Sequence, residues 1–136
     1  MNNLSFHITD ITANSIRANA SEIGLSVEEQ DTRIVIRITD NGSGMDAETA
    51  RRVTNPFYTT RTTRKVGLGL PFLIQNAEQT GGSVTLTSEP GKGTEVRAVF
   101  HSDHIDCPPW GDLPGTVALL ITGNPEINVC FEYRSG

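Results

Sequence analysis

Apolar and small side chains recur at the spacing of an α-helix near the start of the chain. This line consists of Ile8, Ile11, Ser15 and Ala18. A second line, at intervals of four and three residues, holds Asp10, Asn14 and Arg17. Side chains at these intervals are neighbours on a helix surface, so we expect the three polar groups to converge.

Alternation of apolar and polar residues then replaces the helical spacing. The segments IGLSVEE and RIVIRITD alternate on either side of Gln30-Asp31-Thr32, which predicts an antiparallel hairpin whose second strand ends at Asp40. The segments SVTLTSE and TEVRAVFH follow the same pattern around Pro90-Gly91-Lys92-Gly93. They predict a second hairpin.

Two more helices are predicted between the hairpins. DAETARRV forms a short helix with Asp46 as its cap. LGLPFLIQNAEQTGG begins with glycines, carries Pro71 in its first turn and ends at Gly81-Gly82. The segment TNPFYTTRTTRKVG between them follows neither period, which predicts a mobile loop.

The composition changes after His101. A Pro-rich segment, HIDCPPWGDLPG, precedes the apolar run TVALLIT and a predicted strand, INVCFEY. We therefore divide the chain into a domain over residues 1–101 and a C-terminal extension over residues 102–136. The extension is too short for a domain of its own, so we expect it to pack on the first.

Length and charge exclude several classes of protein. The chain has 136 residues, and its net charge of -5 opposes the phosphate-neutralising surface that nucleic-acid binding requires. It has neither a basic stretch followed by an apolar run at its N-terminus nor a run of about 18 apolar residues, so we expect a cytoplasmic protein outside the membrane. Cys107 and Cys130 fit reduced thiols better than a disulfide.

Four motifs follow one another along the chain: a helix with Asp10 and Asn14, DNGSG at a strand end, GLGL opening a helix, and PGKGTEV in a hairpin. In this order they resemble the GHKL ATPases, which include histidine-kinase catalytic domains, gyrase and MutL. PFYTTR ahead of GLGL is most similar to the histidine-kinase branch. The resemblance implies the Bergerat fold, an α/β (α+β) sandwich with helices on one face of a mixed, mostly antiparallel sheet. It also implies ATP and Mg²⁺ as cofactors.

The resemblance implies that the DNGSG segment binds adenine. Asp40 matches the acid that accepts a hydrogen bond from the adenine amino group, and an ionised carboxylate is suited to this because it only accepts. Gly42 and Gly44 would let the backbone approach the base and adopt positive φ. Thr94 matches a hydroxyl that helps to bind adenine, although its β-propensity also accounts for it. For DNGSG alone, the alternative is a type I′ turn at Asn41-Gly42.

The resemblance also assigns the polar line of the first helix. Asn14 matches the asparagine that coordinates the Mg²⁺ bridging the phosphates, and its neutral oxygen suits that ion. Asp10 matches the general base of gyrase-like members, with solvation or helix capping as the alternative. Arg17 falls where histidine kinases often carry a phosphate-contacting lysine, although an exposed helix face would also suit it.

GLGL resembles the second glycine box, in which phosphates approach a helix N-terminus. Lys65 stands where the first glycine of GxGLGL is expected, and it can contact phosphate instead. Arg61 and Arg64 lie with it in a candidate lid, whose alternative is a solvated basic loop. The predicted nucleotide-binding set is Asn14, Arg17, Asp40, Gly42, Gly44, Met45, Arg61, Arg64, Lys65, Gly67, Leu68, Gly69, Leu70 and Thr94.

A cluster outside the resemblance contains potential metal ligands. It consists of His101, Asp103, His104, Asp106 and Cys107. A structural zinc site takes four ligands, usually from two segments, so we favour a loop at the end of a strand.

Two function classes remain open. In the first, the chain is a histidine-kinase-like or anti-sigma-factor-like protein kinase that transfers the γ-phosphate of ATP to a separate protein; in the second, it is an ATP-gated protein-binding module with little turnover. Asp10 favours the first class, whereas Lys65 leaves the second open. Both predict a protein partner in trans and allow a homodimer. His7 lies on the nucleotide helix itself and is disfavoured as a phospho-acceptor.

Overall fold

The computed structural model describes residues 3–54 and 69–135. Its helices are α1 (Leu4–Arg17), α2 (Ala47–Thr54), α3 (Gly69–Gln79) and α4 (Leu113–Gly123). Its strands are β1 (Glu22–Gln30), β2 (Arg33–Asp40), β3 (Ser83–Glu89), β4 (Gly93–His101) and β5 (Asn128–Ser135). Both predicted hairpins, the predicted C-terminal strand and the three helices predicted before residue 101 are confirmed. The predicted loop over residues 54–67 lies outside the described residues except for Thr54, which is the last residue of α2.

The strands form one sheet in the order β3-β4-β2-β1-β5. Neighbouring strands are antiparallel except for β1 and β5, which are parallel. A mixed, mostly antiparallel sheet is therefore confirmed. Within the described segments, no helix is long and apolar enough to cross a membrane.

The strand register places the apolar residues of neighbouring strands on one face of the sheet. Ile38 pairs with Leu25 on one side and with Val96 on the other. Helices α1 and α3 cover this face, and their residues in the core are Leu4, Ile8, Ile11, Leu70, Leu73 and Ala77. Each large apolar side chain buried in this way contributes about 1.5–3 kcal/mol. This burial fixes α1 against the end of β2.

The C-terminal extension caps the first turn of α1. The Leu4 N–H donates to the Pro109 carbonyl at 2.8 Å, and the Ser5 N–H donates to the Trp110 carbonyl at 3.0 Å. The side chain of Asn3 accepts from the Phe6 N–H at 2.6 Å. These bonds satisfy N–H groups that a helix start leaves without intrahelical partners. With β5 in the sheet, they support the proposal that residues 102–136 belong to the same domain.

The apolar run TVALLIT, to which the sequence assigned no element, lies in α4. The side chain of Asp112 accepts from the Gly115 N–H at 3.1 Å and caps the helix. Val117 and Leu120 are the buried residues of α4, while Leu119 is exposed.

His7 is buried in the core, with 2% of its surface exposed. Its ring lies 5.1 Å from that of Phe72 and 6.4 Å from that of Phe100, and its Nε2 atom lies 2.8 Å from Asn76 Nδ2. Burial lowers the pKa of His7 to about 4. The imidazole is therefore neutral at pH 7 and inaccessible to a phosphate donor.

We predict that His7 makes the fold sensitive to acid. Its pKa falls from 6.5 to about 4 on folding, so the unfolded chain binds more protons between these values and stability declines as the pH falls through them. Between pH 7 and 4.5 the loss from His7 should be about 2–3 kcal/mol. Urea unfolding at both pH values should show this loss in the wild type and in a His104→Gln control, and a smaller one in His7→Leu. An unchanged pH dependence in His7→Leu would contradict the assignment.

The loop from β2 to α2 packs against the turn between β3 and β4. The Gly91 N–H donates to the Ser43 carbonyl at 2.7 Å. Gly44 has φ of 72°, as expected, and a Cβ placed there would lie 2.0 Å from the Glu89 carbonyl oxygen. The positive φ expected at Gly42 is wrong. Gly42 lacks room for a side chain for another reason, because a Cβ there would lie 2.8 Å from the Ala18 carbonyl oxygen.

We predict that Gly44→Ala destabilises the fold far more than Gly91→Ala. Both glycines have positive φ, 72° and 78°, so both substitutions carry a backbone cost of about 1–2 kcal/mol. A Cβ at Gly91 meets nothing within 4 Å, whereas one at Gly44 collides with the Glu89 backbone. The difference between the free energies of unfolding of the two variants, measured in urea, gives the cost of the collision at Gly44. Equal losses of stability would mean that the loop moves away from β3 at little cost.

Candidate functional site

A cavity of about 250 Å³ lies between α1, the ends of β2 and β4, and the start of α3. Seven members of the predicted nucleotide-binding set line it: Asn14, Arg17, Asp40, Gly44, Met45, Leu70 and Thr94. Gly42 and Asp10 are not among the residues that line it. Gly69 is the first residue of α3. The predicted lid residues Arg61, Arg64, Lys65, Gly67 and Leu68 lie outside the described part of the chain.

Asp40 is the last residue of β2, and its carboxylate is held at both oxygens. The Gly42 N–H donates to Oδ1 at 2.8 Å, and the Ser15 hydroxyl donates to Oδ2 at 2.6 Å. An ionised carboxylate has about four acceptor sites, so each oxygen can still accept another hydrogen bond. The site therefore presents a fixed acceptor beside the cavity.

Thr94 pairs with Asp40 across β2 and β4, and with Ser88 across β3 and β4. The hydroxyls of Ser88 and Thr94 lie 2.8 Å apart. Ser88 Oγ also accepts from the Met45 N–H at 2.8 Å, and it lies 3.1 Å from the Gly93 carbonyl oxygen. Ser88 thus connects the Thr94 hydroxyl to the loop that follows Asp40. The sequence prediction did not include Ser88, but the register of the predicted hairpin, which places Ser88 opposite Thr94, could have identified it.

The polar line of α1 converges as the helical spacing predicted. Arg17 Nη2 donates to Asn14 Oδ1 at 2.6 Å. Burial raises the pKa of the Asp10 carboxyl, and the nearby Arg17 guanidinium partly opposes this by lowering it. The result is a half-buried carboxylate, a cation and a neutral amide along one side of the helix.

The remaining walls of the cavity are largely apolar. Ile11, Ile38 and Val96 line it together with Met45 and Leu70. Ile11, Ile38 and Val96 were not among the predicted site residues. Ile38 and Val96 stand two residues from Asp40 and Thr94, so strand alternation could have identified them. Apolar walls with a fixed acceptor on one side suit a flat heteroaromatic ring that carries a hydrogen-bond donor.

The HSDHIDC segment forms turns after β4. The Asp106 N–H donates to His104 Nδ1 at 3.0 Å. In the described segments, no three His, Cys, Asp or Glu side chains are grouped closely enough to hold a metal ion. Cys107 and Cys130 are both unpaired thiols, and burial raises the pKa of Cys107.

Residues 3–104 match the family described as histidine kinase-, DNA gyrase B- and HSP90-like ATPases. Similar proteins include two from Bacillus subtilis. The sensor histidine kinase YxdK is 29% identical over 104 residues, which cover 71% of this chain and 32% of the relative. Sporulation kinase C is 30% identical over 101 residues, which cover 73% of this chain and 23% of the relative.

The sensor kinase CckA of Brucella abortus is 34% identical over 91 residues, which cover 66% of this chain and 10% of the relative. The matched part thus spans between a tenth and a third of the length of these relatives. The family match itself covers most of the described structure, including every element that surrounds the cavity. The chain belongs to the family of histidine kinase-, DNA gyrase B- and HSP90-like ATPases, and it carries an ATPase domain of the histidine-kinase type.

Proposed function

We propose that the chain binds Mg-ATP in this cavity and transfers the γ-phosphate to a separate protein. Family membership implies ATP binding, generally with Mg²⁺. The observation that carries the proposal is the meeting of Asp40, Thr94 and Asn14, from three different elements, around one cavity with apolar walls. We also propose that the protein is cytoplasmic and that its partner is supplied in trans. A homodimer is compatible with this proposal.

The adenine ring is proposed to lie between the apolar walls, with its amino group directed at Asp40. The free acceptor capacity of Asp40 supports this orientation, because the amino group donates and the carboxylate accepts. Thr94, paired with Asp40 across the strands, supplies a hydroxyl to the same side of the cavity. The hydroxyl network around Ser88 would hold that group in place.

The phosphates are proposed to lie toward Asn14 and the start of α3. Leu70 lines the cavity in the first turn of α3, and the N–H groups of a first turn have no partners within the helix. Asn14 Oδ1 is the proposed ligand of Mg²⁺, which would stabilise the charge of the phosphates. This oxygen accepts from Arg17 in the structure. Since a cation beside Mg²⁺ is unfavourable, we propose that Arg17 turns to the phosphates when the nucleotide binds.

Asp10 is proposed as the general base. Its raised pKa supports this role, because a base accepts a proton more readily as its pKa approaches the working pH. Transfer would then proceed as the acceptor side chain loses a proton to Asp10 and attacks the γ-phosphorus, while the bond to the bridging oxygen breaks and ADP leaves.

A second candidate function is an ATP-gated protein-binding module with little turnover. One observation favours it: Asp10 is not among the residues that line the described cavity. A base outside the cavity would act through a water or after a movement of α1. Incubation with labelled ATP and cell lysate tests the choice, because only the kinase labels a separate protein.

We predict that Asp40→Asn weakens ATP binding without unfolding the protein. The asparagine amide can accept from the Gly42 N–H and donate to the Ser15 hydroxyl, so both local contacts survive. The side chain that faces adenine then has one acceptor oxygen in place of two, and its NH₂ group cannot accept from the adenine amino group. Calorimetry should show an affinity for Mg-ATP about 10- to 100-fold lower than in the wild type. Asp103→Asn, a change in an exposed loop, serves as the control. Unchanged affinity in folded Asp40→Asn would remove Asp40 from adenine recognition.

We predict that Asp10→Ala separates the two candidate functions. In a kinase it should keep ATP affinity within a few-fold and lower phosphoryl transfer by about 10²- to 10⁴-fold. Transfer by the wild type should also decline as the pH falls through the raised pKa of Asp10, since the base must be ionised. Asp103→Ala is the matched control for loss of a carboxylate. Full transfer activity in Asp10→Ala would exclude Asp10 as the base, and background turnover in the wild type would support the binding module.

A further inference from the structure

We propose that Ser15 is a positioning residue that sets the selectivity of the cavity for a purine with a 6-amino group. Ser15 lies on α1 with 3% of its surface exposed, and its hydroxyl donates to Asp40 Oδ2 at 2.6 Å. The bond joins α1 to the end of β2, and its two residues are 25 positions apart in the sequence. This inference rests on the proposed binding of adenine at Asp40.

The Ser15 bond fixes the direction of the Asp40 carboxylate. Oδ1 is already held by the Gly42 N–H, so a second donor at Oδ2 restricts rotation of the carboxylate plane. Because an ionised carboxylate cannot donate, the hydroxyl hydrogen of Ser15 points at Asp40. An ionised carboxylate held in this direction can accept from an amino group, whereas it has no hydrogen to donate to a carbonyl.

The position of Ser15 also links the two ends of the proposed nucleotide site. It follows Asn14 directly in α1, and both residues line the cavity. A movement of α1 would therefore shift the proposed Mg²⁺ ligand and the anchor of Asp40 together. The proposed positions of the adenine ring and of the phosphates would therefore both depend on the position of α1.

The test compares Mg-ATP with the triphosphate of purine riboside, which carries hydrogen in place of the 6-amino group. Affinities for both are measured by calorimetry in the wild type and in the variants Ser15→Ala, Ser15→Thr and Ser5→Ala. Ser5 is the matched control, since it is a buried serine on the same helix whose hydroxyl donates to the Trp110 carbonyl, away from the cavity.

We expect the wild type to prefer ATP over the analogue. Ser15→Ala should lower the affinity for ATP about 10-fold and leave that for the analogue unchanged, because only the amino group depends on Asp40. Ser15→Thr, which keeps a hydroxyl, should retain the preference. Ser5→Ala should lower the melting temperature and leave the ratio of affinities unchanged.

The outcomes separate this inference from the proposed function. A wild type that does not bind ATP would overturn both. A wild type that binds ATP without preferring it over the analogue would overturn recognition of the amino group by Asp40, and with it the role of Ser15, but not ATP binding itself. A wild type that prefers ATP, with the same preference in Ser15→Ala, would overturn the role of Ser15 alone, as would equal losses for the two nucleotides. If Ser15→Ala does not fold, Ser15→Cys replaces it, since a thiol of similar size is a weaker donor and should reduce the preference in the same direction.

Discussion

The packing of α1 on the sheet is the interaction on which the rest of the structure depends. Ile8 and Ile11 are buried against the apolar face of the strands, and the helical repeat then directs Asn14 and Ser15 into the cavity one turn later. The same helix therefore contributes to the core and to the site. A helix start with unpaired N–H groups would weaken this packing, and Pro109 and Trp110 provide the missing acceptors. The described residues of the C-terminal extension thus support α1 without lining the cavity.

Strand register is the second constraint on the site. Asp40 pairs with Thr94, and Thr94 pairs with Ser88, so three polar side chains meet because three strands are aligned. A shift of β4 by one residue would turn Thr94 to the other face of the sheet and expose Val96 and Ala98 to water. Burial of these apolar residues therefore maintains the geometry of the polar ones, which gain little free energy from their own hydrogen bonds.

Helices and hairpins, which depend on local periodicity, could be predicted from the sequence. Contacts between residues that are distant in the chain could not. Alternation located both hairpins and the end of β2 at Asp40, because each signal lies within a few residues. Ser15 carries no local sign of its bond to Asp40, which forms only when α1 packs on β2. The positive φ expected at Gly42 was wrong, and its close approach to Ala18, which is 24 residues away in the chain, could not be read from the local sequence. The parallel pairing of β5 with β1 is equally non-local.

The positive charge of Arg17 lies where the phosphates are proposed to bind, beside Asn14 and Asp10. Arg17 serves two neighbours, since it donates to Asn14 and lowers the pKa of Asp10 against the larger effect of burial. In the proposed complex the phosphates would compete for Arg17, because a guanidinium binds phosphate oxygens more strongly than a neutral amide oxygen. Asp10 would then lose part of the influence of Arg17 on its pKa, while the phosphates would raise that pKa and Mg²⁺ would lower it. Movement of the Arg17 side chain to the phosphates would thereby free Asn14 Oδ1, the proposed Mg²⁺ ligand, when the nucleotide binds.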